Sequence, residues 1–272
     1  MLDIHNHMLP GLDDGPPDWD QSLALARLAL AGGIREVVCT PHWVPGAYRN
    51  TRQVVLSAVE QFRRKLREAV IPLKVYPGAE LRLAPDLPQR IESGELLTLN
   101  DTGRFALIEL PDICLMQNLE VFFRNMLDRG ITPVICHPER NHSLMQDPMP
   151  LFRWVESGCH VQLTSASVIG RFGAEVRDFS LVLLTHRLVH ILGTDAHSLR
   201  LRAPVLRDSW EKVRDILGQE AADLMVNENP GRIIAGESID FYEPVPFAAT
   251  PPKVSFSRKI FSFLGFMSHT HQ

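Results

Sequence analysis

Histidines and carboxylates fall in this chain in pairs and at intervals that suit metal ligation. His5 and His7 form an H-x-H pair in DIHNH, and Asp195 and His197 form a D-x-H pair in GTDAH. Side chains at i and i+2 of a strand point to the same side, so each pair can offer both groups to one ion. Between the pairs come Asp13 and Asp14 in GLDDGP, His42 in TPH, Glu80 in PGAE, Glu109 in LIELP and His137 in CHPER. One such residue alone is ordinarily a hydrogen-bonded loop residue; the recurrence at strand end after strand end carries the signal. Imidazole mixed with carboxylate suits Mn, Fe or Zn better than Mg or Ca. His5, His7, Asp14, His42, Glu80, Glu109, His137, Asp195 and His197 exceed the needs of one ion and suffice for two or three if a carboxylate bridges. Asp13 competes with Asp14 for the same role. Three divalent ions would bring about six positive charges against about four from the carboxylates, leaving a centre that attracts a phosphate dianion. Such a centre would also acidify a water into a hydroxide nucleophile near neutral pH.

Two arginines suit that chemistry. Arg140 follows His137 by three residues and Arg202 follows His197 by five, and a guanidinium is a natural fork for phosphate oxygens. The cysteines point elsewhere. Cys39, Cys114, Cys136 and Cys159 form no CxxC pair, and none has an arginine six residues on, so a cysteine-based phosphate loop is excluded. They read as buried small hydrophobes of a reducing compartment. His142, His160, His186 and His190 match no ligand position and read as structural. His269 and His271 repeat the H-x-H spacing without carboxylates nearby.

Positioning these groups requires strands that end on a common rim. Short β-rich runs are expected at 2–5, 36–40, 73–79, 105–109, 132–137, 160–163 and 189–193. Stripes at helical spacing separate them: Val55, Val59, Phe62 and Leu66; Leu119, Phe122, Phe123, Met126 and Leu127; Leu206, Trp210, Val213 and Leu217. These are core contacts. Strands alternating with helices predict a parallel α/β architecture. A barrel fits better than an open sheet, because the polar motifs sit at the C-terminal ends of almost every strand, where barrels place their sites. No dinucleotide fingerprint and no Walker A sequence is present. One or two helices are expected over 219–235.

Residues 1–236 therefore read as one domain and 237–272 as a linker and tail. Pro244, Pro246, Pro251 and Pro252 mark the linker, and KVSFSRKIFSFLGFM over 253–267 is basic and rich in phenylalanine. That tail would pack on the body, dock on a partner or touch a membrane surface. The chain has 272 residues, 45% of them apolar, and a formal net charge of -4. The mild acidity argues against nucleic acid held by bulk electrostatics. The start, MLDIHNHMLP, has no signal-peptide pattern, and no run reaches the roughly 18 apolar residues of a membrane span. The expected location is cytoplasmic, with oligomeric state open.

DIHNHMLPGLDDGP, TPH, PGAE, HPER and GTDAH resemble the polymerase-and-histidinol-phosphatase (PHP) superfamily. Within it the chain is similar to the bacterial manganese-dependent protein-tyrosine phosphatases encoded with capsule and exopolysaccharide synthesis genes. QLTSASVIGRFG over 162–173 and NENPGRII over 227–234 add to the likeness, with alanine at position 166 where glycine is common. The resemblance covers about 1–236. It implies a distorted (β/α)7 barrel, TIM-like, with three metal ions, Mn²⁺ or else Fe or Zn. His5, His7, Glu80 and Asp195 match the ligands of the first ion. Glu80, Glu109 and His137 match the second, with Glu80 bridging. Asp14, His42 and His197 match the third, and Arg140 and Arg202 match arginines of phosphate binding and catalysis. The implied substrate is a phosphotyrosine-bearing tyrosine autokinase that controls polysaccharide synthesis. Alternatives on the same scaffold are a histidinol phosphatase or other small-molecule phosphatase, a phosphodiester exonuclease, and a non-catalytic regulatory module.

Overall fold

The computed structural model describes residues 1–111, 118–239 and 242–247. Cys114, His269, His271 and the basic tail over 253–267 lie outside them. The strands in chain order are β1 (Leu2–Asn6), β2 (Glu36–Cys39), β3 (His42–Val44), β4 (Tyr48–Arg49), β5 (Lys74–Pro77), β6 (Glu80–Arg82), β7 (Phe105–Glu109), β8 (Thr132–Cys136), β9 (His160–Thr164) and β10 (Ile191–Gly193).

Nine of these ten segments make seven staves, and β4 is the antiparallel return arm of a hairpin on β3. β2 runs on into β3 across Thr40 and Pro41, and β5, which ends on Pro77, runs on into β6 across Gly78 and Ala79. Proline cannot donate to the ladder, so the pairing lapses there and resumes two residues on. Gly78 lies in the second break, where an added Cβ would meet Val38 Cγ1 at 2.7 Å; only glycine lets the staves approach so closely. Below the breaks β1 pairs β2 and β2 pairs β5; above them β3 pairs β6, and the parallel order continues β7, β8, β9, β10. A bridge between Asn6 and Ala196 joins β1 to the end of β10. Asp195 N donates to His5 O at 2.7 Å and His7 N to Ala196 O at 2.9 Å. The sheet thus closes on itself as a distorted (β/α)7 barrel.

A helix follows each stave. Asp18 caps the first, Trp19–Ala31, by accepting from Gln21 N. The next, Arg52–Glu68, buries Val55, Val59, Phe62 and Leu66 as its stripe predicts. Leu119–Asp128 buries Leu119, Phe123 and Met126, and Arg207–Leu217 buries Ser209 and Val213 while Trp210 Nε1 reaches Asp223 at 2.9 Å. A larger apolar core lies between staves and helices. A smaller one fills the barrel with Ile4, Val38, Phe105, Leu107, Val134 and Ile191. Residues 219–235 form one continuous helical run with a π-helical turn at Leu224–Glu228, stopped at Gly236 (φ 72°). Its Ile233 joins the inner core beside Leu2 and Phe105, at the start of the strands. The opposite, C-terminal rim is left for chemistry. Past this run, residues 242–247 lie back on the body: Val245 N donates to His186 O at 2.9 Å, and Phe247 packs on the His186 ring.

Candidate metal centre

Asp3 fixes the two paired motifs side by side. It is fully buried on β1; Oδ1 accepts from Thr194 N at 2.9 Å and His5 N at 3.2 Å, and Oδ2 accepts from Thr194 Oγ1 at 2.6 Å. The end of β1 is thereby tied to the turn that carries Asp195 and His197. Two further groups aim the first imidazoles. His5 Nδ1 donates to Gln162 Oε1 at 2.7 Å, and His7 Nδ1 donates to Asp13 Oδ2 at 2.6 Å. Each ring then turns Nε2 toward the rim. Such outer partners fix the tautomer and raise the basicity of a ligating histidine. Asp13 therefore orients His7, and the half-exposed Asp14 is left to face the cavity.

His5, His7, Glu80 and Asp195, all buried, bring ligand atoms within 4.8 Å of one another. His7, Asp14, His42 and His197 form a second such group. Glu109 gathers with His42 and Glu80, whereas His137 gathers with His5, Glu80 and Cys136. Glu80 thus belongs to three of the four groups. Its Oε2 lies 2.9 Å from His42 Nδ1 and 3.2 Å from His7 Nε2, and its Oε1 lies 2.6 Å from His137 Nε2. Asp195 divides its two oxygens. Oδ1 faces the imidazoles of His5, His7 and His197 at 3.4, 3.5 and 3.6 Å. Oδ2 accepts from Arg140 and Arg202, each at 2.5 Å.

Among the described residues, Glu80 Oε2, Glu109 Oε2, Asp195 Oδ1, His42 Nδ1 and His197 Nε2 are buried without a hydrogen-bond partner. Buried polar atoms are normally satisfied. Five that converge on one rim are what a set of divalent cations requires, and the donors are the borderline nitrogen and oxygen types that suit Mn, Fe or Zn. At Asp195 and His137 the protonation states suit a metal, whereas at His5 and His7 burial is outweighed by the facing carboxylates, which raise both imidazoles. Burial alone would raise Asp195, but Arg140, His5, His7 and Arg202 hold it well below the ordinary carboxylate range. Burial, reinforced by Arg140, pushes His137 down to about 4. An ionised carboxylate and a neutral imidazole are the forms that bind metal.

The rim opens into a cavity of about 490 Å³ whose lining includes Asp14, His42, Glu109, His137, Arg140 and Arg202. Sequence reasoning missed several contributors. Asp3 is on the same face of β1 as His5, two residues before it, a position the alternation rule could have flagged. Arg82, whose Nε lies 2.9 Å from Glu109 Oε2, carries no spacing signal. Cys136 is buried as expected, yet its Sγ donates to Glu80 Oε1 at 3.2 Å. In the TSAS segment, Ser167 Oγ donates to the buried Glu139 at 2.6 Å, and Thr164 N donates to the same oxygen at 3.1 Å.

The CpsB/CapC family of capsular polysaccharide synthesis matches residues 1–235. This chain belongs to the CpsB/CapC family. Among CpsB/CapC relatives, tyrosine-protein phosphatase YwqE of Bacillus subtilis is 35% identical over 97% of this chain and 100% of its own length. Tyrosine-protein phosphatase CpsB of Streptococcus pneumoniae is 30% identical, over 88% of this chain and all of its own. A crystal structure from work on YwqE and CpsB, described as unique metal-dependent tyrosine phosphatases, superposes with a TM-score of 0.87 at 35% identity, over 91% of this chain and 100% of the other. A histidinol phosphate phosphatase of Lactococcus lactis superposes at a TM-score of 0.51 with 13% identity, over 81% of this chain and 93% of its own, a likeness of fold alone. Among the described residues no helix is long and apolar enough to cross a membrane.

Proposed function

We propose that this chain is a metal-dependent protein-tyrosine phosphatase whose substrate is a phosphotyrosine-bearing tyrosine autokinase of polysaccharide synthesis, dephosphorylated in the cytoplasm. The observation that supports this most is the junction at Asp195, where one carboxylate faces three imidazoles with one oxygen and two guanidiniums with the other. A cation-binding half and a phosphate-binding half meet there.

Up to three ions, Mn²⁺ by preference, would be held in this reading. His5, His7, Glu80 and Asp195 hold the first, Glu80, Glu109 and His137 the second, and Asp14, His42 and His197 the third. Divalent cations at such a site supply Lewis acidity, which offsets phosphate charge and acidifies water. Arg140 and Arg202 bind the outward phosphate oxygens as charge-assisted donors. Both guanidiniums already rest on Asp195, so their forks are set at the cavity wall before substrate arrives. Asp14 is 50% exposed and its carboxyl is lowered by the approach of His197, whose Nε2 lies 3.2 Å from Asp14 Oδ1, so it stays ionised and accepts rather than donates. The leaving group makes a strong acid less necessary, because a phenol ionises at about pH 10 and departs more readily than an alkyl alkoxide.

The test is a side-by-side assay. Purified protein with Mn²⁺ is offered a phosphotyrosine peptide, histidinol phosphate and a single-stranded oligonucleotide. Phosphate release from the peptide is expected. Turnover of only the second or only the third would overturn the proposal in favour of a small-molecule phosphatase or an exonuclease.

A further inference from the structure

The cavity has an apolar side that the metal chemistry does not use. β3 and β4 form a hairpin through Pro45, Gly46 and Ala47, with Gly46 at φ 83° and Ala47 N donating to Val44 O at 3.0 Å. Within it Val44 pairs with Tyr48. Alternation puts His42 and Val44 on one face of β3, and pairing puts Tyr48 on that same face. Trp43, between them, turns the other way into the core, 5% exposed and beneath the Arg90 guanidinium. Asn50 holds the base of the hairpin still: it is buried, and its Nδ2 donates to His42 O and to Leu12 O, both at 2.8 Å.

The metal-facing strand thus continues outward as an apolar wall. The Tyr48 ring stacks along the His42 imidazole, with centroids 5.7 Å apart and planes 14° apart. Val44, Ala47 and Tyr48 all line the cavity, and Leu110 and Pro138 line it from the ends of β7 and β8. About 490 Å³ accommodates a phenyl ring beyond a bound phosphate, since ligand pockets run from roughly 300 to 1,000 Å³. An alkyl phosphate, such as that of phosphoserine, would leave these side chains without a partner.

We infer that Tyr48, with Val44, is the specificity-determining wall that receives the aryl ring of the substrate and sets a preference for aryl over alkyl phosphates. The inference rests on the phosphatase reading above. Ring-on-ring contact supplies attraction beyond area burial, and a tenfold preference corresponds to about 1.4 kcal/mol.

Binding is the first readout, because it needs no turnover. The full chain loaded with Mn²⁺ is titrated with phenylphosphonate and with methylphosphonate by calorimetry. The aryl ligand is expected to bind about tenfold tighter. Tyr48→Ala should remove most of that ratio, and Tyr48→Phe should keep it. The same ratio should appear in KM for one peptide carrying phosphotyrosine or phosphoserine, whereas kcat also carries the difference in leaving group. If Tyr48 only props His42, Tyr48→Ala weakens both phosphonates in parallel and the ratio survives, which overturns the inference. Val44→Ser gives a second test should Tyr48→Ala fail to fold: an unchanged ratio there also counts against the wall. A chain that binds the phosphonates with this preference yet hydrolyses no monoester would refute the phosphatase reading and leave the wall standing.

Discussion

Asp13→Asn separates the orienting role of Asp13 from the ligand role of its neighbour. The Asp13 carboxylate takes three donors: His7 Nδ1 at 2.6 Å and His42 N at 3.0 Å on Oδ2, and Gly15 N at 3.0 Å on Oδ1. Asparagine has the same shape but only one acceptor oxygen. If that oxygen stays at the Oδ2 position, an NH₂ group faces Gly15 N and the loop loses a bond. If the amide is reversed, the NH₂ group faces His7 Nδ1, which must then accept, so the ring carries its proton on Nε2 and cannot ligate through it. Either way a charge-assisted bond worth about 1.5–3 kcal/mol is lost. Loss of such an outer partner costs about 10–100-fold in metal affinity or activity. Mn²⁺ titration by calorimetry, with circular dichroism to check the fold, measures this directly. Asp14→Asn should instead lower the number of ions bound, because it removes a donor from the group with His42 and His197. A folded Asp13→Asn protein that binds Mn²⁺ as tightly as the parent would refute the orienting role.

The other expectations concern phosphate, metal and pH. Arg140→Lys and Arg202→Lys should each weaken inhibition by orthophosphate about tenfold, since an ammonium cannot reproduce the fork; unchanged inhibition constants would remove the arginines from phosphate binding. Chelation should lower Tm: saturation at 100 times Kd stabilises by about 2.7 kcal/mol per ion, or roughly 5–10 °C for a domain of this size, and a scan with and without EDTA that shows no shift would exclude a tightly held ion. His160 and His190 face each other inside the barrel with ring centroids 4.8 Å apart, and burial pushes His160 down to about 4 and His190, also beside His160, well below its usual value. The unfolded chain therefore takes up protons first, so this stability is complete above about pH 6.5 and is lost as pH falls toward 4. Urea unfolding in EDTA at about pH 7.5 and pH 5 should show His160→Asn losing about 2 kcal/mol less than the parent over that interval.

Much of this site was legible because β-rich runs end where the ligand types begin. The strand expected over 105–109 is the one observed, Phe105–Glu109, and Glu109 stands at its end. Glu80 and His42 were expected just after strands, whereas each begins a new strand segment. The difference comes from Pro41 and Pro77, which interrupt the ladder without ending the stave, and a short segment such as Glu80–Arg82 has no periodicity to announce it. The choice between Asp13 and Asp14 lay beyond sequence reasoning for another reason. The two side chains have the same donors, and only the path of the loop past His7 assigns one to the imidazole and the other to the cavity. Gln162 is hidden similarly: a glutamine within an apolar strand shows its purpose only when the barrel closes and His5 stands opposite it.

Closure also explains why the two distant pairs can act together. β1 and β10 are separated by nearly the whole domain in sequence, and their adjacency depends on the bridge from Asn6 to Ala196 and on the bonds Asp3 makes to Thr194. Two buried elements in contact respond as one unit, so changes on either side of that seam should not be energetically independent. The same holds for Asp195, whose position the seam fixes. Moving this carboxylate shifts Oδ1 relative to the imidazoles and Oδ2 relative to Arg140 and Arg202 at once. In the proposed reading, cation binding and phosphate binding would therefore be coupled through a single side chain, as a consequence of where the sheet joins its own edge.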